Sequence, residues 1–257
     1  MTTPAVAAWL DALEERHLAN LRFAEVSRAL RALSSAYVER RARLSHGAAL
    51  DGGGKRAAFA MSYGPLHFLT VERILAALPA PATRIDTVVD LGCGTGAAGA
   101  AWALSLHARP RMVGIDKHQW AVAEAAWAYR LLGLRGRTLQ GDVARAAWPT
   151  RRAGIVSGWT INEVTEASRD TLLRRFLSAA EHGATVLVVE PIARSFVPWW
   201  NAWADAFVRA GGRADEWRFP VTLPDLVKRL DRAAGLSHDE LTARSLWISS
   251  PAAVPGT

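Results

Sequence analysis

Residues 88–99, VVDLGCGTGAAG, carry the most specific chemistry in this chain of 257 residues. An apolar run leads into Gly92, Gly94 and Gly96, and small helix-forming residues follow at once. Glycine suits such a turn because the backbone bends sharply and a ligand must approach it closely. The helix that follows offers N–H groups with no acceptor of their own and the positive end of its dipole. Two further carboxylates hold comparable places: Asp116 closes RMVGID, and Asp142 follows LQG. Singly, Asp90 reads equally well as a turn cap and Asp116 as a loop residue. Three acids in order, each after a predicted strand, point to one ligand site.

The elements that must position these residues alternate along the chain. Short runs, most of them apolar, predict strands at 87–91, 111–115, 137–141, 154–158 and 184–189, with amphipathic helices near 97–107, 118–132 and 166–181. Continuous apolar runs are the mark of parallel strands buried on both faces. The alternation predicts an α/β fold, a mostly parallel sheet with helices on both faces. Beyond it come a Trp-rich helix at 198–210, a Gly211-Gly212 stop, a helix near 223–234 and a last strand at 244–249. Ahead of it, residues 5–44 read as helical, with Phe23, Val26, Leu30, Leu33 and Tyr37 on one face. The glycine-rich segment 46–55 is a loop. It is no phosphate loop, because Ala49 and Arg56 break the required pattern. A second helix is expected over 65–78, so that residues 1–80 form an N-terminal helical cap and 81–257 the ligand-binding domain.

The stretch Asp90-Leu91-Gly92-Cys93-Gly94-Thr95-Gly96 resembles the first motif of the class I methyltransferases that use S-adenosylmethionine (SAM). The resemblance implies a Rossmann-like sheet of seven strands with a reversed final hairpin. It also implies that Gly92, Cys93, Gly94 and Gly96 cradle the methionine part, with Asp90 near its amino end. Asp116, beside Lys117, then takes the ribose hydroxyls, which two carboxylate oxygens can accept together. Asp142 and Val143 fall beside the adenine, and Trp159 to Glu163 beside the methyl donor. A rival is the dinucleotide fingerprint of an NAD-dependent oxidoreductase, which Gly94, Gly96 and Gly99 satisfy with Asp116 downstream. Asp90 counts against it, since dehydrogenases keep an apolar strand residue there. More narrowly, SGWTINEV, VLVVEP and RSLWIS are similar to bacterial relatives of the mitochondrial small-ribosomal-subunit assembly methyltransferases. Many members of that family carry a cysteine set, whereas Cys93 is the only cysteine here.

Methyl transfer from a sulfonium asks mainly for in-line placement of the acceptor, with a base only where the acceptor must lose a proton. Asn162 and Glu163 are the candidates for orienting the acceptor and taking its proton. Glu163 reads equally as an acid favoured by a helix start. Tyr63, Glu190, Trp199 and Trp203 are candidates for lining the acceptor site. Tyr63 and the tryptophans read equally as packed side chains, with Trp200 pointing aside. His118 stands beside Asp116 at a helix start, and Cys93 packs as a small residue.

Composition bounds the partners. The 50% hydrophobic content fits a globular chain, and one cysteine excludes an internal disulfide or a multi-cysteine metal site. No metal is expected. No apolar run spans a bilayer and no basic start precedes an apolar stretch, so neither a membrane segment nor a secretory signal is expected, and the placement expected is cytoplasmic. The net charge of +7 raises RNA or the ribosome as a partner. Residues 1–56 hold nine Lys/Arg against six Asp/Glu, which is no dense basic tail. A small-molecule acceptor is therefore favoured, RNA or a non-catalytic SAM-binding assembly role being the alternatives. The sequence leaves the oligomeric state open.

Overall fold

A computed structural model describes residues 3–39, 50–193 and 197–249. Residues 40–44 of the segment expected to be helical, residues 46–49 of the glycine-rich loop and the side chain of Tyr37 lie outside the described residues. The chain divides into two compact units. One comprises 70–218 and 242–257; the other comprises 1–69 and 219–241.

The first unit is built on a sheet. Its strands are β1 (Thr87–Leu91), β2 (Arg111–Asp116), β3 (Gly136–Gln140), β4 (Ala153–Gly158), β5 (Thr185–Glu190), β6 (Arg213–Pro220) and β7 (Glu240–Ser249). They lie in the order β3-β2-β1-β4-β5-β7-β6. Strands β3, β2, β1, β4 and β5 run parallel, and β7 is antiparallel to β5. The sheet is therefore seven-stranded and mostly parallel. The helices between the strands are α5 (Ala97–Ser105), α6 (Gln119–Leu131), α7 (Glu166–Glu181) and α8 (Trp200–Arg209).

Side chains alternate across the sheet, and the two faces bury different partners. Val89, Leu91, Val113, Ile155, Val186 and Val188 pack with Phe176 of α7 and Trp203 and Phe207 of α8. Between them, Asp90 faces α5 and α6, where it meets Gly99 and Tyr129. Trp102 of α5 lies 5.7 Å from Trp247 on that same face. Both faces are covered over β1, β2, β4 and β5, which is why these strands read as continuous apolar runs, whereas β3 is largely exposed.

Strand β6 gave no such run. Its residues alternate between exposed and half-buried, as an edge strand's do, and its arginine and acidic residues hid it. Arg213 is paired with Asp215, and Arg244 of β7 with Glu216.

In the second unit the segment expected as one helix over 5–44 is two, α1 (Pro4–Leu18) and α2 (Phe23–Glu39). The break has a cause in the sequence. Glu25 accepts the Arg22 N–H at 2.8 Å, a carboxylate reaching back to start a new helix. Then come α3 (Gly53–Ala58), a π-helical turn (Phe59–Tyr63) and α4 (Gly64–Ala77), whose later half lies in the sheet unit. Helix α9 (Asp225–Ala234) is tied back to this unit: Arg31 donates to the carbonyls of Ala233 and Ala234, and Arg229 pairs with Glu14. No helix among the described residues is long and apolar enough to cross a membrane.

Candidate functional site

The carboxyl ends of β1, β2 and β4 meet at the glycine turn. Gly92, Gly94 and Gly96 all have positive φ, at 70°, 52° and 79°. Gly92 is glycine for a second reason: a Cβ there would lie 2.1 Å from Thr160 Oγ1. Thr160 itself bonds the carbonyls of Gly92 and Gly158. The turn from β1 is thus laid directly on the turn after β4.

Asp90 lies beneath the turn. It is 1% exposed, and its Oδ2 accepts the Gly99 N–H at 3.0 Å and the Tyr129 hydroxyl at 3.1 Å. Burial pushes its carboxyl up to about 7, against the lowering effect of those two donors. The same burial raises the Cys93 thiol and the Tyr129 phenol. A Cβ on Gly99 would stand 2.6 Å from Asp90 Oδ2. The third glycine of the supposed dinucleotide pattern is therefore accounted for by a buried acid of this protein.

Asp116 is half-buried and binds the turn. Its Oδ2 accepts the Gly94 N–H at 3.0 Å and its Oδ1 the His118 N–H at 2.8 Å. A carboxylate has about four lone-pair sites, so each oxygen retains one for a hydroxyl. His118 is occupied as the cap of α6, its Nδ1 accepting from Trp120 N. Lys117 is exposed, and its carbonyl accepts from Gln140. Beyond β3, Asp142 is exposed and its Oδ1 accepts the Ala144 N–H at 2.8 Å, with Val143 buried beside it.

On the other side of the turn, Trp159 has a φ of 55°, a left-handed conformation rare outside glycine. Its N–H donates to Val189 O at 2.7 Å. A short 3₁₀ turn, Ile161–Glu163, follows. Glu190 is wholly buried at the end of β5 and accepts the N–H groups of Ile161 (2.8 Å) and Asn162 (3.4 Å). It holds that turn from behind. Asn162 Oδ1 accepts the Trp199 indole N–H at 3.0 Å, and Glu163 is exposed.

Trp199 is the N-cap of α8, with its ring 4.8 Å from that of Trp203. Trp200 is buried as well, its ring 5.8 Å from that of Trp199 and below the Arg244 guanidinium. Tyr63 belongs to the other unit, where it packs with Phe59 and His67.

Sequence reasoning missed Thr160, Tyr129 and Arg175. Each acts on a residue distant in the chain; Thr160 stands within SGWTINEV, but its contact with Gly92 is not visible there, and Tyr129 and Arg175 stand in no motif. Among the described residues no group of three or more His, Cys, Asp or Glu is placed to hold a metal.

Residues 88–183 match the family model of a methyltransferase domain. No curated protein sequence matches this chain. Among solved structures, the mitomycin 7-O-methyltransferase MmcR is 14% identical and matches over 96% of this chain and 69% of its own, with a TM-score of 0.52. A Nostoc punctiforme PCC 73102 protein provisionally assigned as an O-methyltransferase is 13% identical, over 86% and 69%, also at 0.52. A SAM-dependent methyltransferase from Aquifex aeolicus is 16% identical, over 72% and 92%, at 0.48. At such identities the first two speak for the fold. Residues 88–183 thus match a methyltransferase domain, within a sheet whose fold the first two of these structures share.

Proposed function

We propose that this chain binds SAM along the carboxyl ends of β1, β2 and β3 and transfers its methyl group to a small-molecule acceptor. One observation carries the cofactor reading: the Asp116 carboxylate is locked to the Gly94 N–H and still has an acceptor site on each oxygen. Two adjacent ribose hydroxyls need that geometry. The donor set also fits the ligand's charge, since the carboxylates of Asp116 and Asp142 follow β2 and β3 on the side of the glycine turn and a cationic cofactor favours them.

SAM would supply an electrophilic methyl on a good leaving group. The protein's share is then placement. The Gly92 turn offers bare backbone to the methionine part, Asp116 takes the ribose, and Asp142 and Val143 face the adenine. Asn162 and Glu163 stand on the turn after β4, where an acceptor would be oriented and any proton removed. Trp199, hydrogen-bonded to Asn162, supports an apolar acceptor face.

The test is calorimetric titration with S-adenosylhomocysteine beside NADH. Affinity in the micromolar range for the former and no heat with the latter is the expected result. Absence of binding to either ligand would overturn the cofactor reading.

A second reading is favoured by a particular charge distribution. Residues 105–152 hold nine Lys/Arg against three Asp/Glu, most of the chain's net +7. The charge is thus less evenly spread than the N-terminal segment suggests. Arg109, Arg111, Arg135 and Arg152 are all exposed near the starts of β2, β3 and β4. These strand starts lie at the end of the sheet opposite the cofactor site, so an RNA acceptor extended enough to reach both would be held there through its phosphates, and affinity would fall steeply with salt. A flat salt response would remove this reading.

A further inference from the structure

Three carbonyls after Asp142 require a partner. The Asp142 carbonyl itself is used within a turn, accepting from Arg145 N and Ala146 N. The next carbonyls are met from α7. Arg175 Nη1 donates to Ala144 O at 2.7 Å and to Val143 O at 3.5 Å, and its Nη2 donates to Ala146 O at 2.6 Å. The guanidinium carbon lies 3.3 Å from the centre of the Trp148 ring, so the group is also stacked. Desolvation lowers the pKa of this arginine, as expected for a cation taken partly out of water. A planar fork of five donors can bridge carbonyls on neighbouring residues while lying flat on an indole, whereas a lysine offers a single point.

The backbone of Ala144 joins this clamp to the site. Its carbonyl is held by Arg175, and its N–H is held by Asp142 Oδ1 at 2.8 Å. From Trp148 the contact continues through Phe176 (6.4 Å) and Trp203 (6.0 Å) to Trp199 (4.8 Å), which bonds Asn162. One aromatic row therefore runs behind both ends of the cleft.

We infer that Arg175 is the positioning residue for the adenine side of the cofactor site: through Ala144 it fixes the Asp142 carboxylate where the exocyclic amine of the purine arrives. The inference rests on the cofactor reading above. Arg175 itself does not touch the ligand. Its effect is selective, because a displaced Asp142 costs the amine contact and leaves the ribose contact of Asp116 in place.

The experiment compares S-adenosylhomocysteine with its inosine analogue, which carries a carbonyl in place of the amine. Binding of both is measured by calorimetry to the wild type, Arg175→Ala and Arg175→Lys. The wild type should prefer the adenine ligand by at least about tenfold, since a carboxylate accepts from an amine and repels a carbonyl. In Arg175→Ala that preference should fall to about twofold or less, with Arg175→Lys between the two. Hydrogen exchange in the unliganded protein should quicken at the amides of residues 144–146 in Arg175→Ala and stay unchanged over residues 92–99. A wild-type preference retained in full by both variants would overturn the inference while leaving the cofactor reading intact. If Arg175→Ala does not fold, Arg175→Lys decides alone, by the same ratio. A wild type that binds neither ligand removes the cofactor reading and this one with it. Equal loss for both ligands would mark Arg175 as general scaffolding and also overturn it.

Discussion

Asp116 Oδ2 accepts the Gly94 N–H at 3.0 Å, so an acid at the end of one strand fixes the glycine turn of its neighbour. The same side chain is thus both fastener and ligand group. Asp116→Ala loses both functions and should weaken S-adenosylhomocysteine at least about tenfold, roughly 1.4 kcal/mol. Asp116→Asn keeps the shape but presents an amide N–H₂ to one of the two backbone donors, so a loss of similar size is expected. Calorimetry on both variants checks this; alanine-variant affinity within twofold of wild type would remove Asp116 from the site.

Asp90 gives the pH dependence. Its carboxyl titrates near 3.8 when exposed and at about 7 in the folded protein. Below pH 4 the group is protonated in both states and does not affect folding. As pH rises through 4 to 7 the unfolded chain loses this proton while the native state keeps it, so stability falls across that window and levels off above it. Three pK units set an upper bound of ~4 kcal/mol. Asp90→Asn should flatten the slope of melting temperature against pH between 4 and 7. A wild-type and variant pair with parallel profiles would show that Asp90 is not the group responsible.

Gly92→Ala tests the turn from the other side. Its φ of 70° disfavours any Cβ, and the added methyl would overlap Thr160. The left-handed conformation costs about 1–2 kcal/mol and the overlap about 1–3 kcal/mol more. Thr160→Gly in the same chain should recover the overlap part and leave the backbone part. Chemical denaturation of the single and double variants separates the two.

How much of this was legible follows from how far apart the interacting residues are. The apolar runs of β1, β2, β4 and β5 were readable because burial on both faces leaves no choice of residue, and the helix at 166–181 because only one of its faces is buried. The glycine turn was readable because its residues are adjacent. Strand β6 was not, because an edge strand needs no apolar pattern, and Arg213 with Asp215 looks like loop sequence. The break between α1 and α2 was hidden since Glu25 satisfies helix periodicity and caps at the same time. Tyr129 and Arg175 were invisible in principle: Asp90 lies 39 residues from the first, and Ala144 lies 31 from the second. No local pattern encodes such pairs. Glu190 was readable as a strand end but not as a buried cap, because only the fold brings Ile161 over it.

The Trp199–Asn162 bond allows a last prediction, one that separates the acceptor side from the cofactor side. Asn162 Nδ2 is buried with no hydrogen-bond partner among the described residues, so the side chain is held by its oxygen and by Glu190 at its backbone. Trp199→Phe preserves most of the ring packing against Trp203 and removes the indole N–H. Asn162 Oδ1 then loses its donor, at an expected loss of about 1–3 kcal/mol for an orphaned buried acceptor. Asn162→Ala leaves the indole N–H unpaired in turn, and the double variant should lose less than the two singles together, with a coupling of about 1 kcal/mol. Neither change touches Asp116 or the glycine turn, so S-adenosylhomocysteine affinity should stay within twofold of wild type. Denaturation gives the coupling and calorimetry gives the affinity. A coupling near zero would mean that the bond contributes nothing to the folded state. A large fall in affinity would mean that Asn162 serves the cofactor rather than the acceptor.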